Sequence, residues 1–306
     1  MPTEVEGTHE VRPGDVSLYT KTWKPDGPPK AKVIFVHGFN DHIHRYYELF
    51  PTLASHGIEV HGFDQRGWGR SVKTPSDRGL TGPTSQVISD IVSVIKSQLP
   101  SPVPLFVMGH SMGGAEVLTL ASDPQYEDLM PSIRGWVLES PFIDFPKGQA
   151  PGAVTVFLGR LAGKLLPHSQ RFSALKPETL TRDPEVVKSL TDDPLTHGYG
   201  TLAGLSAMLD RSAALHGGKV TLSKGVRSIW LGHGTKDMGT CYHASDQWFK
   251  RQTQVQDKEL KTYDGWYHQL HADLPKERAV FAKDVRDWIL ARVGVEEARQ
   301  GSDSKL

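Results

Sequence analysis

Within the 306-residue chain, "FVMGHSMGG" sets Ser111 between Gly109 and Gly113. An apolar run that reads as a strand precedes it, and "GAEVLTLAS", which reads as a helix, follows. A GxSxG elbow between strand and helix holds its central residue in a strained backbone conformation, and small residues two before and two after prevent clashes. The hydroxyl then projects from the sheet edge, where the helix dipole favours a developing anion. Ser111 is therefore expected to be a nucleophile. Attack on a carbonyl also needs donors for the oxyanion: the N–H after the nucleophile and one from the loop after the third strand. Met112 and Phe39 occupy those places. Phe39 lies in "HGFNDH", where His37 and Gly38 would shape the turn that aims the amide inward.

A serine hydroxyl is a weak nucleophile near neutral pH and needs a base, itself oriented by a carboxylate. In a fold with this elbow the chain order is serine, acid, histidine. "YDGWYHQLH" near the C-terminus ends a strand pattern at "YDG" and offers His268 in the following loop, so His268 is expected to be the base. His271, three residues on, reads as a neighbour on the same rim. For the acid, "SIWLGHGTKD" puts Asp237 just after the penultimate strand, and Asp144 after the preceding strand is the runner-up. Asp264 lies within a strand end, and Asp64 in "FDQRGWGRS" is expected to order its own turn.

The elements that must position these residues are short β-rich runs alternating with helix-period segments, the pattern of an α/β fold with a mostly parallel sheet. Strands are expected at "KVIFVHG", "IEVHGFD", "PLFVMGH", "RGWVLES", "RSIWLGHG" and "KELKTYDG", with "VSLYTKTW" as an antiparallel lead-in. Helices are expected at "HRYYELFPTLASHG", "TSQVISDIVSVIKSQL", "GAEVLTLAS" and "HASDQWFKRQTQ". In "KERAVFAKDVRDWILARV", Phe281, Val285, Trp288 and Ile289 share one helical face. The alternation breaks after Phe145 and resumes near Lys224. This divides the chain into a core, 1–145 and 225–293, a cap insertion, 146–224, and a tail, 294–306. The cap begins with "AVTVFLGRLAGKLLP", where Val154, Phe157, Leu158, Leu161 and Leu165 fall at helical spacing. That stripe suits packing on the core, lying on lipid, or lining an acyl pocket.

The stretches "HGFNDHIHRYYEL", "FDQRGWGRS", "GHSMGG", "DPEVVKSLTDDPL", "HGTKD" and "YDGWYHQLHADLP" resemble the monoacylglycerol lipases of the α/β-hydrolase superfamily, over about residues 14 to 292. The resemblance implies an α/β-hydrolase fold with flanking helices and a helical cap, and hydrolysis of single-chain lipid esters without a cofactor. It implies Ser111, Asp237 and His268 as the catalytic triad. It also implies Asp41, Arg45 and His271 as a polar pocket at the glycerol end, with Asp41 standing where animal members commonly have Glu. The cap stripe then reads as an acyl tunnel or as a transient contact with a membrane or lipid-droplet surface. A lysophospholipase or a broad carboxylesterase would use the same triad. Dehalogenase and epoxide-hydrolase chemistry is disfavoured, because those use aspartate at the elbow. A non-catalytic ligand-binding member is disfavoured because no needed residue is missing.

Lys and Arg together number 35, as do Asp and Glu, so no basic field points to nucleic acid. The only cysteine, Cys241, excludes an internal disulfide and a cysteine-based zinc site, which suits a reducing compartment. No metal ligand set stands out among the 14 histidines. Cys241 follows Asp237 closely enough to be expected near the active-site rim. "MPTEVEGTHEVRPG" lacks the basic and apolar regions of a signal peptide, and no run reaches the length of a membrane span. The expectation is an intracellular protein directed to the peroxisome by the final Ser304, Lys305 and Leu306, an address read by an import receptor, and otherwise cytoplasmic or at the lipid-droplet surface.

Overall fold

The computed structural model describes residues 2–294; the peroxisomal tripeptide read at 304–306 lies outside the described residues. The chain begins with an antiparallel hairpin, β1 (Thr3–Val11) and β2 (Val16–Lys24). It continues through β3 (Ala31–Val36), α1 (Leu49–Ser55), β4 (Ile58–Phe63), α2 (Thr84–Ser97), β5 (Leu105–His110), α3 (Met112–Leu120) and β6 (Gly135–Glu139). An excursion follows through α4 (Ala153–Leu165), β7 (Gln170–Phe172), α5 (Pro184–Asp192), β8 (Tyr199–Thr201) and α6 (Leu202–His216). The chain then returns through β9 (Ser228–Gly234), α7 (Tyr242–Arg251), β10 (Asp257–Tyr263) and α8 (Pro275–Leu290).

Eight strands form one sheet in the order β1-β2-β4-β3-β5-β6-β9-β10. From β4 to β10 all neighbours are parallel, and β2 joins β4 antiparallel. The central strands are apolar throughout because both faces are covered: β5 is buried along its whole length. One face packs on α2, α3 and α7, and the other on α1 and α8. Phe281, Val285, Trp288 and Ile289 of α8 are all buried against the second face.

Two local expectations differ. The helix read from residue 44 begins only at Leu49, because Tyr47 turns the backbone left-handed (φ 40°) after a short 3₁₀ turn at Ile43–Arg45. Pro51 is tolerated because it falls in the first turn of α1. The first strand, β1, was not expected at all: its side chains are almost all exposed, so no buried face marks it.

Residues 140–227 lie outside the large sheet, and the stretch 146–224, expected as a cap, falls within them. There β7 and β8 pair as a two-stranded antiparallel ribbon. Among the described residues, no helix is long and apolar enough to cross a membrane.

Candidate active site

The carboxyl ends of four parallel strands meet at one edge of the sheet, where α/β folds place their ligands. β3 ends before Phe39, β5 before Ser111, β9 before Asp237 and β10 before His268. Ser111 has φ 54° and ψ −117°, a strained turn between strand and helix. Its N–H is held by the Glu139 carbonyl at 2.9 Å, and its own carbonyl accepts from Ala115 and Phe142. A Cβ on Gly113 would fall 2.3 Å from the Val36 carbonyl oxygen, and one on Gly109 would fall 2.6 Å from that of Gly113. Both positions must therefore lack a side chain.

Ser111 Oγ lies 2.9 Å from His268 Nε2. On the other side of the ring, His268 Nδ1–H donates to Asp237 Oδ2 at 2.8 Å. Sequence reasoning missed the groups that hold Asp237: Gly239 N–H and Thr240 N–H donate to its Oδ1 at 2.7 and 2.8 Å. Thr240 Oγ1–H donates to Oδ2 at 2.9 Å, and His233 Nε2 stands 3.0 Å from Oδ2. Burial alone would raise the Asp237 carboxyl, but the His268 charge and the His233 and His268 hydrogen bonds hold it well below the ordinary carboxylate range. Burial pulls His268 down, yet the Asp237 carboxylate outweighs this and leaves it above its ordinary value. The histidine loop is tied to the acid loop by Lys236 N–H donating to the Trp266 carbonyl and by Thr235 Oγ1–H donating to Asp264.

The other carboxylates are engaged elsewhere. Asp144, the runner-up acid, is part-exposed, accepts from its neighbour Phe145 N–H and stands 3.5 Å from His216. Asp64 accepts from Ile43 N–H and Arg70 N–H and so orders its own turn. Cys241 caps α7 and packs against the apolar core beside the site; it is not among the residues lining either space at Ser111.

Among the described residues, neither Phe39 N–H nor Met112 N–H is engaged by a protein acceptor. Two spaces meet at Ser111 and Phe39. The first, about 390 Å³, is walled by apolar residues including Phe142, Val156, Leu205 and Leu209. The second, about 700 Å³, is more polar and is bordered by Asn40, Asp41, Lys176, Glu178, His268 and Gln269.

Of the three residues expected at a glycerol pocket, the structure brings Asp41 alone to the polar space. Its carboxylate accepts from Tyr46 OH at 2.6 Å and from His42 N–H at 2.8 Å. Arg45 is corrected to a place behind the wall, where it donates to Asp193 at 2.9 Å and Tyr47 OH at 3.1 Å. His271 is likewise behind it, 1% exposed, bonded to Glu139 and stacked on Tyr46 at 4.1 Å. The physical reason is that both side chains found carboxylates, the part-buried Asp193 for Arg45 and the fully buried Glu139 for His271, whose demand for partners outweighs solvent. The α4 stripe is also corrected: the apolar space is lined by Thr155, Val156, Gly159 and Arg160 on its other face. Val154, Phe157, Leu158 and Leu165 point to solvent, Val154 and Leu165 being 72% exposed.

Residues 27–275 match the family described as serine aminopeptidase, S33 (Hydrolase_4). The chain belongs to this family of serine hydrolases. A putative monoglyceride lipase from Schizosaccharomyces pombe is 32% identical over 89% of the chain and 71% of its own length. A monoacylglycerol lipase from Mycolicibacterium smegmatis is 28% identical, over 92% of this chain and 95% of that one. A solved soluble variant of the Saccharomyces cerevisiae monoglyceride lipase superposes with a TM-score of 0.80 at 22% identity, covering 94% and 97% of the two chains. The protein is a serine ester hydrolase of the α/β-hydrolase fold.

Behind its histidine, this hydrolase holds a cluster that sequence reasoning did not assemble. His271 Nδ1–H donates to Glu139 Oε1 at 2.6 Å, and His110 Nδ1 stands 3.7 Å from Glu139 Oε2. The His110 ring lies 4.8 Å from that of His268. Burial raises Glu139 and pushes His271 down to about 3. The three donor atoms lie within 4.8 Å of one another, but a separation of 2.6 Å is that of a shared proton. Two ligands on one tetrahedral zinc ion, with bonds of ~2.0 Å, stand about 3.3 Å apart. The only signal in the sequence was the position of His110 and Glu139 at the ends of adjacent strands.

Proposed function

We propose that the protein hydrolyses monoacylglycerol to fatty acid and glycerol, with Ser111, His268 and Asp237 as its triad. The observation that carries this reading is the meeting of an apolar and a polar space at Ser111 Oγ, which suits one ester joining an acyl chain to a small polyol. Ser111 Oγ attacks the ester carbonyl while His268 Nε2 takes its proton. Phe39 N–H and Met112 N–H bind the tetrahedral oxyanion. Collapse breaks the carbonyl–alkoxy bond, and His268 returns the proton to the departing glycerol oxygen. Water, deprotonated by the same nitrogen, then attacks the acyl-enzyme and releases the fatty acid. Asp41 borders the space where glycerol would sit, while Arg45 and His271 support that wall from behind.

A lysophospholipid is the second reading. Lys176 and Glu178, both at the polar space, offer a cation and an anion to a zwitterionic head group. Side-by-side rates on monoolein, diolein and lysophosphatidylcholine separate the two: the proposal expects monoolein to lead, and preference for the phospholipid would replace it. In the same assay Ser111→Ala and His268→Ala should each lose several orders of magnitude in kcat and Ser111→Ala should lose fluorophosphonate labelling. Substantial turnover in either would remove the triad.

The reading includes transient contact with a lipid surface through α4. Between Phe145 and Glu178 the sequence carries Lys147, Arg160, Lys164, Arg171 and Lys176 and no acidic residue. The exposed apolar side chains of α4, with Leu166, Phe172 and Leu175, concentrate in the same stretch. Apolar side chains flanked by cations favour an interface with anionic lipid.

A further inference from the structure

Asn40 follows Phe39 in the oxyanion loop with φ 55°, a left-handed conformation that Asn tolerates better than most residues. From there its side-chain Oδ1 accepts a hydrogen bond from Gly198 N–H at 2.6 Å. Gly198 belongs to the inserted segment, just before β8. On the other side, the Phe39 ring stands edge-on to Trp68 at 4.8 Å. Trp68 in turn stacks on His197 at 5.0 Å with the planes 7° apart. His197 is held in one orientation, with Nδ1 accepting from Tyr199 N–H and Nε2–H donating to the Gly67 carbonyl, both at 3.1 Å. Thr201 then fixes β8 to the core through its N–H and hydroxyl, which both donate to the Gly79 carbonyl.

Phe39 is therefore held from two directions by residues 197–198 of the insertion, once through its ring by way of Trp68 and once through its neighbour's side chain. We propose that this part of the insertion belongs to the oxyanion apparatus, and that Asn40 is the positioning residue that joins the two. The proposal rests on the reading of Phe39 N–H as an oxyanion donor. A donor in a loop is free to swing unless something fixes the residue behind it, and preorganisation is what makes such a donor effective. Phe39 borders both substrate spaces, so a substrate entering either one presses on the residue whose amide must stay still. The Asn40–Gly198 bond resists that displacement. Because the oxyanion exists only in the transition state, loosening the clamp should lower kcat and leave KM nearly unchanged.

The test is Asn40→Gly in the full chain, assayed on p-nitrophenyl butyrate and with a trifluoromethyl ketone that forms a tetrahedral adduct on the serine. Glycine adopts the left-handed conformation without strain, so a loss of activity cannot come from a backbone forced out of place. The expected result is a fall in kcat of about tenfold with KM within twofold. Ketone affinity should weaken by a similar factor, with the melting temperature within a few degrees of wild type. Wild-type kcat, or a loss confined to KM with ketone affinity unchanged, would overturn the clamp. Ser111→Ala measured alongside separates two failures. Persistent turnover in it sinks the serine-esterase reading and the clamp together, whereas a dead Ser111→Ala beside an unimpaired Asn40→Gly sinks the clamp alone.

Discussion

Asp237 is buried and takes two backbone N–H bonds on one oxygen, leaving the other for Thr240, His233 and His268. Asp237→Asn keeps the shape of that nest but can present an amide N–H toward His268, favouring the wrong tautomer. The expected loss is roughly three to four orders of magnitude in kcat with normal folding. A pH signature follows from the same pair. His268 must be neutral to act as base, and Asp237 holds it above 6.5. The kcat/KM profile should therefore fall on the acid side with a midpoint above 6.5, and in Asp237→Asn that limb should move to lower pH, since the strongest opposition to burial is then gone and only the Glu139 and Asp41 charges remain. An unmoved limb would deny Asp237 its electrostatic part. His271 makes a contrasting case. Its ring fills a buried place between Tyr46 and Glu139, so His271→Ala should cost about 2–4 kcal/mol in chemical denaturation. It should also lower rates on monoolein and on a soluble ester alike, whereas loss on monoolein alone would return His271 to the substrate. At this scale the hydrogen-bonded row of Ser111, His268 and Asp237 was readable from the elbow and the chain order. The sequence could not say that Arg45 pairs with Asp193 and His271 with Glu139, because those carboxylates come from distant elements.

Among the elements, legibility followed burial. The parallel strands and α8 were readable because covered faces demand apolar runs or a helical stripe. β1 was not, because its register rests on backbone pairing with β2 and on pairs such as Lys21 with Glu4 at 2.6 Å. α4 is the instructive exception: its helical stripe was legible, but periodicity alone does not say which side is covered, and here the stripe faces solvent. If that face meets lipid, Phe157→Ser with Leu161→Ser should reduce co-sedimentation with anionic vesicles severalfold. The same pair should lower the rate on vesicle-borne monoolein, with hydrolysis of p-nitrophenyl butyrate within twofold of wild type. Equal loss on the soluble ester would mean instead that the stripe supports the apolar space.

Over the whole molecule, buried neutral histidines set a limit on acid stability. Burial lowers His37 and His110, and takes His271 to about 3. His37 shows why: its Nδ1–H donates to the Gly38 carbonyl and its Nε2 accepts from Gln65 N–H, an arrangement a second proton would break. The unfolded imidazoles take up protons near 6.5 while the folded ones do not, so the unfolded chain binds more protons below that pH. Stability present above 6.5 is then lost as pH falls toward 3, at up to ~1.4 kcal/mol per pH unit for each group. His268 and the buried carboxyls Asp64, Glu116 and Glu139, all raised, work in the opposite sense, but His44, His61 and His197 are lowered as well, which makes six rings on the losing side. Melting temperature should drop steadily between pH 7 and pH 5, and a flat profile across that interval would contradict the burial. The lysines and arginines around α4 act at longer range. A chain with as many positive as negative side chains feels almost no net pull from a charged bilayer, yet one lip of the molecule is cationic and the remainder must carry the balancing anions. Such a body is a dipole, and a surface field turns it so that its cationic lip leads. If the α4 lip meets anionic lipid, the enzyme would arrive there already facing the right way, and rising salt would erode that alignment before it touched the chemistry at Ser111.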